Sequence, residues 1–162
     1  MFPVEILKLA EKLVADCIEK EVKIATAESC TGGLIAGCLT AVSGSSAVFE
    51  RGFNTYSNAA KTEMLGVPGD MIEAHGAVSR EVAGAMAEGA LAAAPVQLTV
   101  AVTGIAGPTG GTDAKPVGTV QIASAFRGRM TINEDYLFNG DRDEVRLATV
   151  KASLEMMGRH LS

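Results

Sequence analysis

The 162 residues contain no tryptophan, only 4% aromatic side chains and just two histidines. So few aromatics leave no row of platforms on which unpaired bases could stack. Positive charge is also short: fourteen Lys and Arg stand against nineteen Asp and Glu, a formal charge of -5. No broad cationic face is therefore expected for a nucleic-acid backbone, although local donors can still serve a small anion. No apolar run approaches the roughly 20 residues that span a bilayer. The opening residues read as an amphipathic, partly acidic helix rather than a signal sequence, so the expectation is a cytoplasmic protein without membrane contact. The three cysteines, Cys17, Cys30 and Cys38, form neither a C-x-x-C nor a zinc pattern and are read as reduced thiols. With no His-Glu-x-x-His motif and scattered carboxylates, neither a metal nor a cofactor is expected.

What the chain does have is 48% hydrophobic residues, eighteen glycines and an alanine-heavy middle, a composition suited to close packing of helix on sheet. Its length supports one domain, residues 1–162, with one sizeable core. Apolar residues at helical spacing over 4–20 lead into a buried strand over 22–27, and a second helix begins near Leu34. Beyond a polar break at 43–46, residues 52–56 read as a strand and 58–65 as a short helix closed by Gly66 to Gly69. Ser79 is placed to cap a long alanine-rich helix ending near Ala94, and 96–102 is a buried strand. A glycine- and proline-rich loop follows over 104–118, and a loop that long in a compact domain usually has a task. Strands over 120–126 and 130–138 form a hairpin, and Asp141-x-x-Glu144 opens the last helix with a capping box. The fold class expected is α/β: a single-domain layered sandwich, its mixed sheet flanked by helices.

Ser29 sits where a strand ends and a helix is about to start, at Glu28-Ser29-Cys30-Thr31-Gly32-Gly33. Such a turn exposes a hydroxyl toward the unpaired amides of the helix start, although a plain helix cap accounts for the same residues. A serine nucleophile needs a base. His160 lies near the C-terminus and His75 reads equally well as a surface or capping residue. Lys61, flanked by small residues after a strand, is the stronger candidate, but it acts near neutral pH only if burial or nearby cations lower its pKa by about 3 units. Otherwise it is a solvated lysine. The run Gly104 to Gly111 can converge several N–H groups on a phosphate or oxyanion, or be merely flexible; it matches neither the P-loop nor the dinucleotide pattern. Arg142 and Arg146, one helical turn apart, could fork onto a phosphate or pair with neighbouring acids.

Taken together and in order, Thr26-Ala27-Glu28-Ser29-Cys30-Thr31-Gly32-Gly33, Gly44-Ser45-Ser46, Phe49-Glu50-Arg51-Gly52-Phe53, Thr55-Tyr56-Ser57-Asn58-x-x-Lys61, His75-Gly76-Ala77-Val78-Ser79, Thr103-Gly104-Ile105-Ala106-Gly107-Pro108 and Lys115-Pro116-Val117-Gly118-Thr119-Val120 closely resemble the C-terminal domain of the CinA (competence/damage-inducible) family. The resemblance covers nearly the whole chain. It implies a metal-free serine-lysine amidohydrolase that converts nicotinamide mononucleotide to nicotinate mononucleotide and ammonia, in pyridine-nucleotide recycling. It also implies that Ser29 is the nucleophile, Lys61 the base and Tyr56 a supporting group. Substrate contacts are then expected from Cys30, Thr31, Gly32, Gly33, Thr103, Gly104, Gly107, Arg142 and Arg146. Between the adjacent Ser29 and Cys30 the resemblance favours the serine, with Cys30 turned toward the core. A different class of protein, a noncatalytic nucleotide-binding regulator of competence or damage responses, fits the same pocket. A mean hydropathy of +0.24 suggests apolar surface covered by another subunit, and a homodimer is expected.

Overall fold

A computed structural model describes all of residues 1–162. The elements run α1 (Val4–Glu19), β1 (Ile24–Glu28), α2 (Leu34–Thr40), β2 (Phe49–Asn54), α3 (Asn58–Leu65), α4 (Gly69–His75), α5 (Arg80–Ala93), β3 (Leu98–Gly104), β4 (Thr119–Phe126), β5 (Ile132–Leu137) and α6 (Arg142–Arg159). The five strands form one sheet in the order β2-β1-β3-β4-β5. The pairs β1–β2 and β1–β3 are parallel, whereas β3–β4 and β4–β5 are antiparallel. This is the expected mixed-sheet α/β sandwich.

Side-chain alternation divides the sheet into two unlike faces. Ile24, Leu98, Val100, Val102, Val120 and Ile122 point to one side and join α1, α2 and α6 in a core of large aliphatic residues. Ala27, Ala101, Ala123 and Ala125 point to the other side, where α5 packs Val82, Ala83, Met86, Ala87 and Ala90. An alanine-lined surface lets α5 lie close, which is how the alanine-rich composition is used. Near the end of α5, a Cβ built on Gly89 would fall 2.0 Å from the Leu65 carbonyl oxygen of α3. Glycine alone fits there.

The helix starts follow their sequence signals. Ser79 Oγ accepts from Val82 N at 3.2 Å. Asp141 Oδ1 accepts from Glu144 N at 2.9 Å while Glu144 Oε2 accepts from Asp141 N at 2.7 Å, completing the capping box. The strands β1 and β3 begin two residues later than expected, and two differences are larger. The strand expected over 52–56 begins at Phe49 and ends at Asn54; as an edge strand it carries polar Glu50 and Arg51, so its apolar alternation is weak. The segment after Leu65 holds the additional seven-residue α4, too short for a periodic pattern.

Because β1 has β2 on one side and β3 on the other, the chain reverses direction of winding at the carboxyl end of β1. Ligands of open α/β sheets commonly bind in the crevice this creates. Close packing of α5 on α3 forms one wall of that region. Helix propensity alone favours Gly89→Ala by about 1 kcal/mol, but the Leu65 carbonyl requires the opposite. The variant is expected to lose about 1–3 kcal/mol through overpacking. Gly158→Ala in α6, with open space around it, should instead be neutral or slightly stabilising. Urea unfolding of both variants checks this, and equal gains would refute the packing argument.

Candidate active site

Strand alternation places Glu28 and Ser29 on opposite faces of β1. Glu28 is fully buried on the α2 side, where its carboxylate accepts from Thr31 Oγ1 at 2.7 Å, Ile35 N at 2.8 Å and Ala36 N at 3.1 Å. It thereby satisfies amides that the first turn of α2 would otherwise leave unpaired. Between the strand and the helix, Ser29 O accepts from Gly32 N at 3.0 Å. Gly32 and Gly33 take positive φ of 56° and 103°, which lets this tight turn form without a Cβ penalty. The amides of Cys30, Thr31 and Gly33 donate to no backbone carbonyl.

Ser29 turns toward α3, where Lys61 waits. Ser57 caps α3 by accepting from Ala60 N, and Lys61 projects from the first turn, 1% exposed. Its Nζ donates to Thr55 O at 2.8 Å and lies 3.2 Å from Ser29 Oγ; Tyr56 O and Ser57 O stand at 3.5 Å. Every one of these partners is neutral. Burial holds the Lys61 pKa below the ordinary lysine value. A neutral amine has a lone pair, so in that state Ser29 O–H can donate to Nζ, while an amine N–H still reaches Thr55 O. Burial also pushes the Cys30 thiol up to about 11, so at neutral pH it is protonated and a poor nucleophile.

A cavity of about 290 Å³ opens over the pair. Of the residues expected at the site, it brings together Ser29, Cys30, Tyr56, Lys61, Thr103, Gly104, Gly107 and Arg142. Thr31, Gly32, Gly33 and Arg146 do not line it. Arg146 instead donates to Cys30 O at 3.2 Å and Thr31 O at 3.1 Å, bracing the turn from behind. Arg142 donates to Gly107 O at 2.8 Å and to the Tyr56 hydroxyl at 3.2 Å, linking α6, the glycine-rich loop and the chain before α3 across the cavity mouth. Tyr56 is 64% exposed. In the loop, the amides of Ala106, Gly107, Thr109, Gly110 and Gly111 lack protein acceptors.

Neither histidine lines the cavity. His75 is exposed beside Glu81, and buried His160 meets Ser124 O at 3.2 Å. No three His, Cys, Asp or Glu side chains are grouped to hold a metal ion. Some of the lining was not singled out residue by residue: Ala77 and Val78 border the cavity, and Thr109 enters it from the Gly104 to Gly111 run already suspected. Asn58 also lines the cavity, directly after the Tyr56-Ser57 pair. Glu28 carried a plainer signal, an acid ending an otherwise apolar strand just before a helix.

The chain is thus an α/β domain with a small-molecule cavity at its switch point. It belongs to the CinA family: residues 6–161 match the model of the CinA C-terminal domain. It is 54% identical over 143 residues to a CinA-like protein of Citrifermentans bemidjiense, an alignment covering 88% of this chain and 34% of that protein. The chain therefore spans about a third of the length of such curated relatives. The crystal structure of the competence/damage inducible protein CihA from Agrobacterium tumefaciens superimposes with a TM-score of 0.97 at 48% identity, covering 98% of this chain and 97% of that one. A CinA superfamily protein from Escherichia coli gives 0.91 at 34% identity, covering 96% and 90%. No helix is long and apolar enough to cross a membrane.

The buried amine has a consequence for stability. With its folded pKa lowered, Lys61 is deprotonated in the native state and protonated in the unfolded state between that lowered value and about 10.4. The unfolded state then binds more protons, so stability rises with pH across that window. Lys61→Met should lack this rise. Urea unfolding between pH 7 and pH 10 should show the difference, wild type minus variant, increasing with pH; parallel curves would contradict the depressed lysine.

Proposed function

We propose that this chain hydrolyses the carboxamide of nicotinamide mononucleotide to nicotinate mononucleotide and ammonia, with Ser29 as nucleophile and Lys61 as base. The observation that carries the reading is the buried Lys61 Nζ, 3.2 Å from Ser29 Oγ and without a charged partner. Neutral Lys61 takes the Ser29 proton as Oγ attacks the amide carbon, giving a tetrahedral oxyanion. The Cys30 amide lies beside the nucleophile, belongs to a residue bordering the cavity and donates to no backbone carbonyl, so it is suited to hold that oxyanion. Protonated Lys61 returns its proton to the departing nitrogen and ammonia leaves. Water, deprotonated by the same amine, then attacks the Ser29 ester, and the ammonium returns that proton to Ser29 Oγ as the acid leaves.

Tyr56 acts through its hydroxyl contact with Arg142, which shapes the cavity mouth. The 5′-phosphate falls to Arg142 and to the unpaired amides of Thr109 and Gly110, which share the cavity. Arg146, engaged by the carbonyls of Cys30 and Thr31, serves the turn. A noncatalytic nucleotide-binding module would keep the cavity and have no need of an amine buried beside a hydroxyl.

Ammonia release from the mononucleotide by the purified chain tests this reading. Ser29→Ala, Lys61→Ala and Lys61→Arg should each lose activity by at least about a hundredfold. Arginine keeps the charge but cannot deprotonate, so a near-native arginine variant would refute the lysine base. Cys30→Ala should keep most of its activity. Arg142→Ala should raise KM for the mononucleotide but change the much poorer turnover of nicotinamide riboside little. Equal effects on both substrates would remove the phosphate assignment.

A further inference from the structure

The residues lining the cavity include two basic side chains, Lys61 and Arg142, and no carboxylate. Glu28, the acid preceding the nucleophile, faces α2 and is saturated by Thr31 Oγ1 and the amides of Ile35 and Ala36. Around Lys61 the remaining surroundings are neutral or positive. Cys30 keeps its proton, and Tyr56 presents a phenol already held by Arg142. From α5 come the apolar Val82, Ala83 and Met86, packed with Leu65 of α3. His75 of α4 is exposed beside Glu81, and Arg146 lies behind the turn. An added positive charge in this cavity would meet no counter-ion there.

A nicotinamide nucleotide brings such a charge, because its pyridine ring is a permanent cation. If amide attack is to occur, the amide carbon must approach Ser29 Oγ to about 3 Å, which places the ring charge on the order of 7 Å from Lys61 Nζ. At that separation two unit charges shift an equilibrium by about threefold in water and roughly fiftyfold at an effective dielectric near 20. Ring charge and lysine proton therefore compete for one space to which the protein lining contributes no anion, the ligand's own phosphate being taken up by Arg142 and the loop amides.

We infer that the cavity selects amides on cationic rings through Lys61: binding of the ring expels the lysine proton, so the substrate itself generates the neutral base. This rests on the deamidase reading above and adds to it a coupling between ring charge and base. The coupling is reciprocal, as linkage requires. Deprotonating Lys61 must tighten binding of a cationic ring and leave a neutral ring unaffected. After hydrolysis the product carries a new carboxylate beside the same nitrogen, which favours the ammonium form and resets the base.

The test compares two near-isosteric ligands on the Ser29→Ala variant, where turnover is absent. One is nicotinamide mononucleotide; the other is benzamide riboside 5′-monophosphate, which keeps the carboxamide and phosphate on an uncharged ring. The phosphate titrates near 6 in both and cancels from their ratio. Calorimetric titration from pH 6 to pH 10 should show the affinity ratio, cationic over neutral, rising about tenfold through the titration of Lys61. Below that titration, proton release should accompany the cationic ligand in excess over the neutral one. In the Ser29→Ala, Lys61→Met double variant the ratio should be flat. As a check on the intact protein, the neutral ligand's inhibition constant against wild-type turnover should lack the pH dependence seen for the mononucleotide. A ratio independent of pH in Ser29→Ala overturns the coupling while leaving the deamidase reading intact. Absence of ammonia release by wild type from the mononucleotide overturns that reading itself.

Discussion

A lysine nitrogen buried without a carboxylate beside it must find all its hydrogen bonding in neutral oxygens. The end of the sheet is arranged to supply them. Thr55 O accepts at 2.8 Å, and Thr55 is itself fixed because its amide donates to Glu28 O at 2.9 Å, extending the β1–β2 ladder by one step. The same strand end then delivers Ser29. A single piece of backbone thus positions both the lysine's acceptor and the hydroxyl it faces. This also explains why the arrangement tolerates so little freedom. A shift of β1 by one residue would exchange Glu28 and Ser29 between faces, directing the carboxylate at Lys61 and the hydroxyl into the amides of α2.

The two layers of the sandwich take separate parts in this. On one side large aliphatic side chains carry the core and Glu28 anchors the start of α2. On the other, alanines allow α5 close to the sheet and α3 close to α5. Lys61, in α3, is 1% exposed, and this desolvation disfavours its ammonium form. Arg146 and Arg142 divide the remaining work, one holding the turn's carbonyls and the other spanning the cavity mouth.

Much of this was readable from residues alone, and the exceptions have physical reasons. The Ser79 and Asp141 caps are local signals and appear as expected. The strands Ile24–Glu28 and Leu98–Gly104 are buried along almost their whole length, and their richness in Ile, Val, Leu and Ala makes them legible to within two residues. By contrast, β2 lies at the sheet edge with Glu50 and Arg51 exposed to solvent or nearly so, and α4 has only two turns. Lys61 could be suspected from its small neighbours, but its burial and its contact with Ser29, a residue far away in sequence, arise only in the folded chain. Arg142 and Arg146 look alike in sequence, one turn apart. Only the packing of α6 against the Ser29 turn separates a cavity residue from a brace.

In the proposed deamidation the hydroxyl of Ser29, not the adjacent thiol, forms the covalent intermediate. Intact-mass measurement after treatment with a serine-directed acylating or phosphonylating probe, followed by peptide mapping, addresses it directly. One adduct per chain is expected, located on Ser29, with loss of ammonia release in proportion to labelling and no adduct in Lys61→Ala. An adduct on Cys30 that accumulates in step with inactivation, in a protein whose Ser29→Ala variant still turns over, would contradict it.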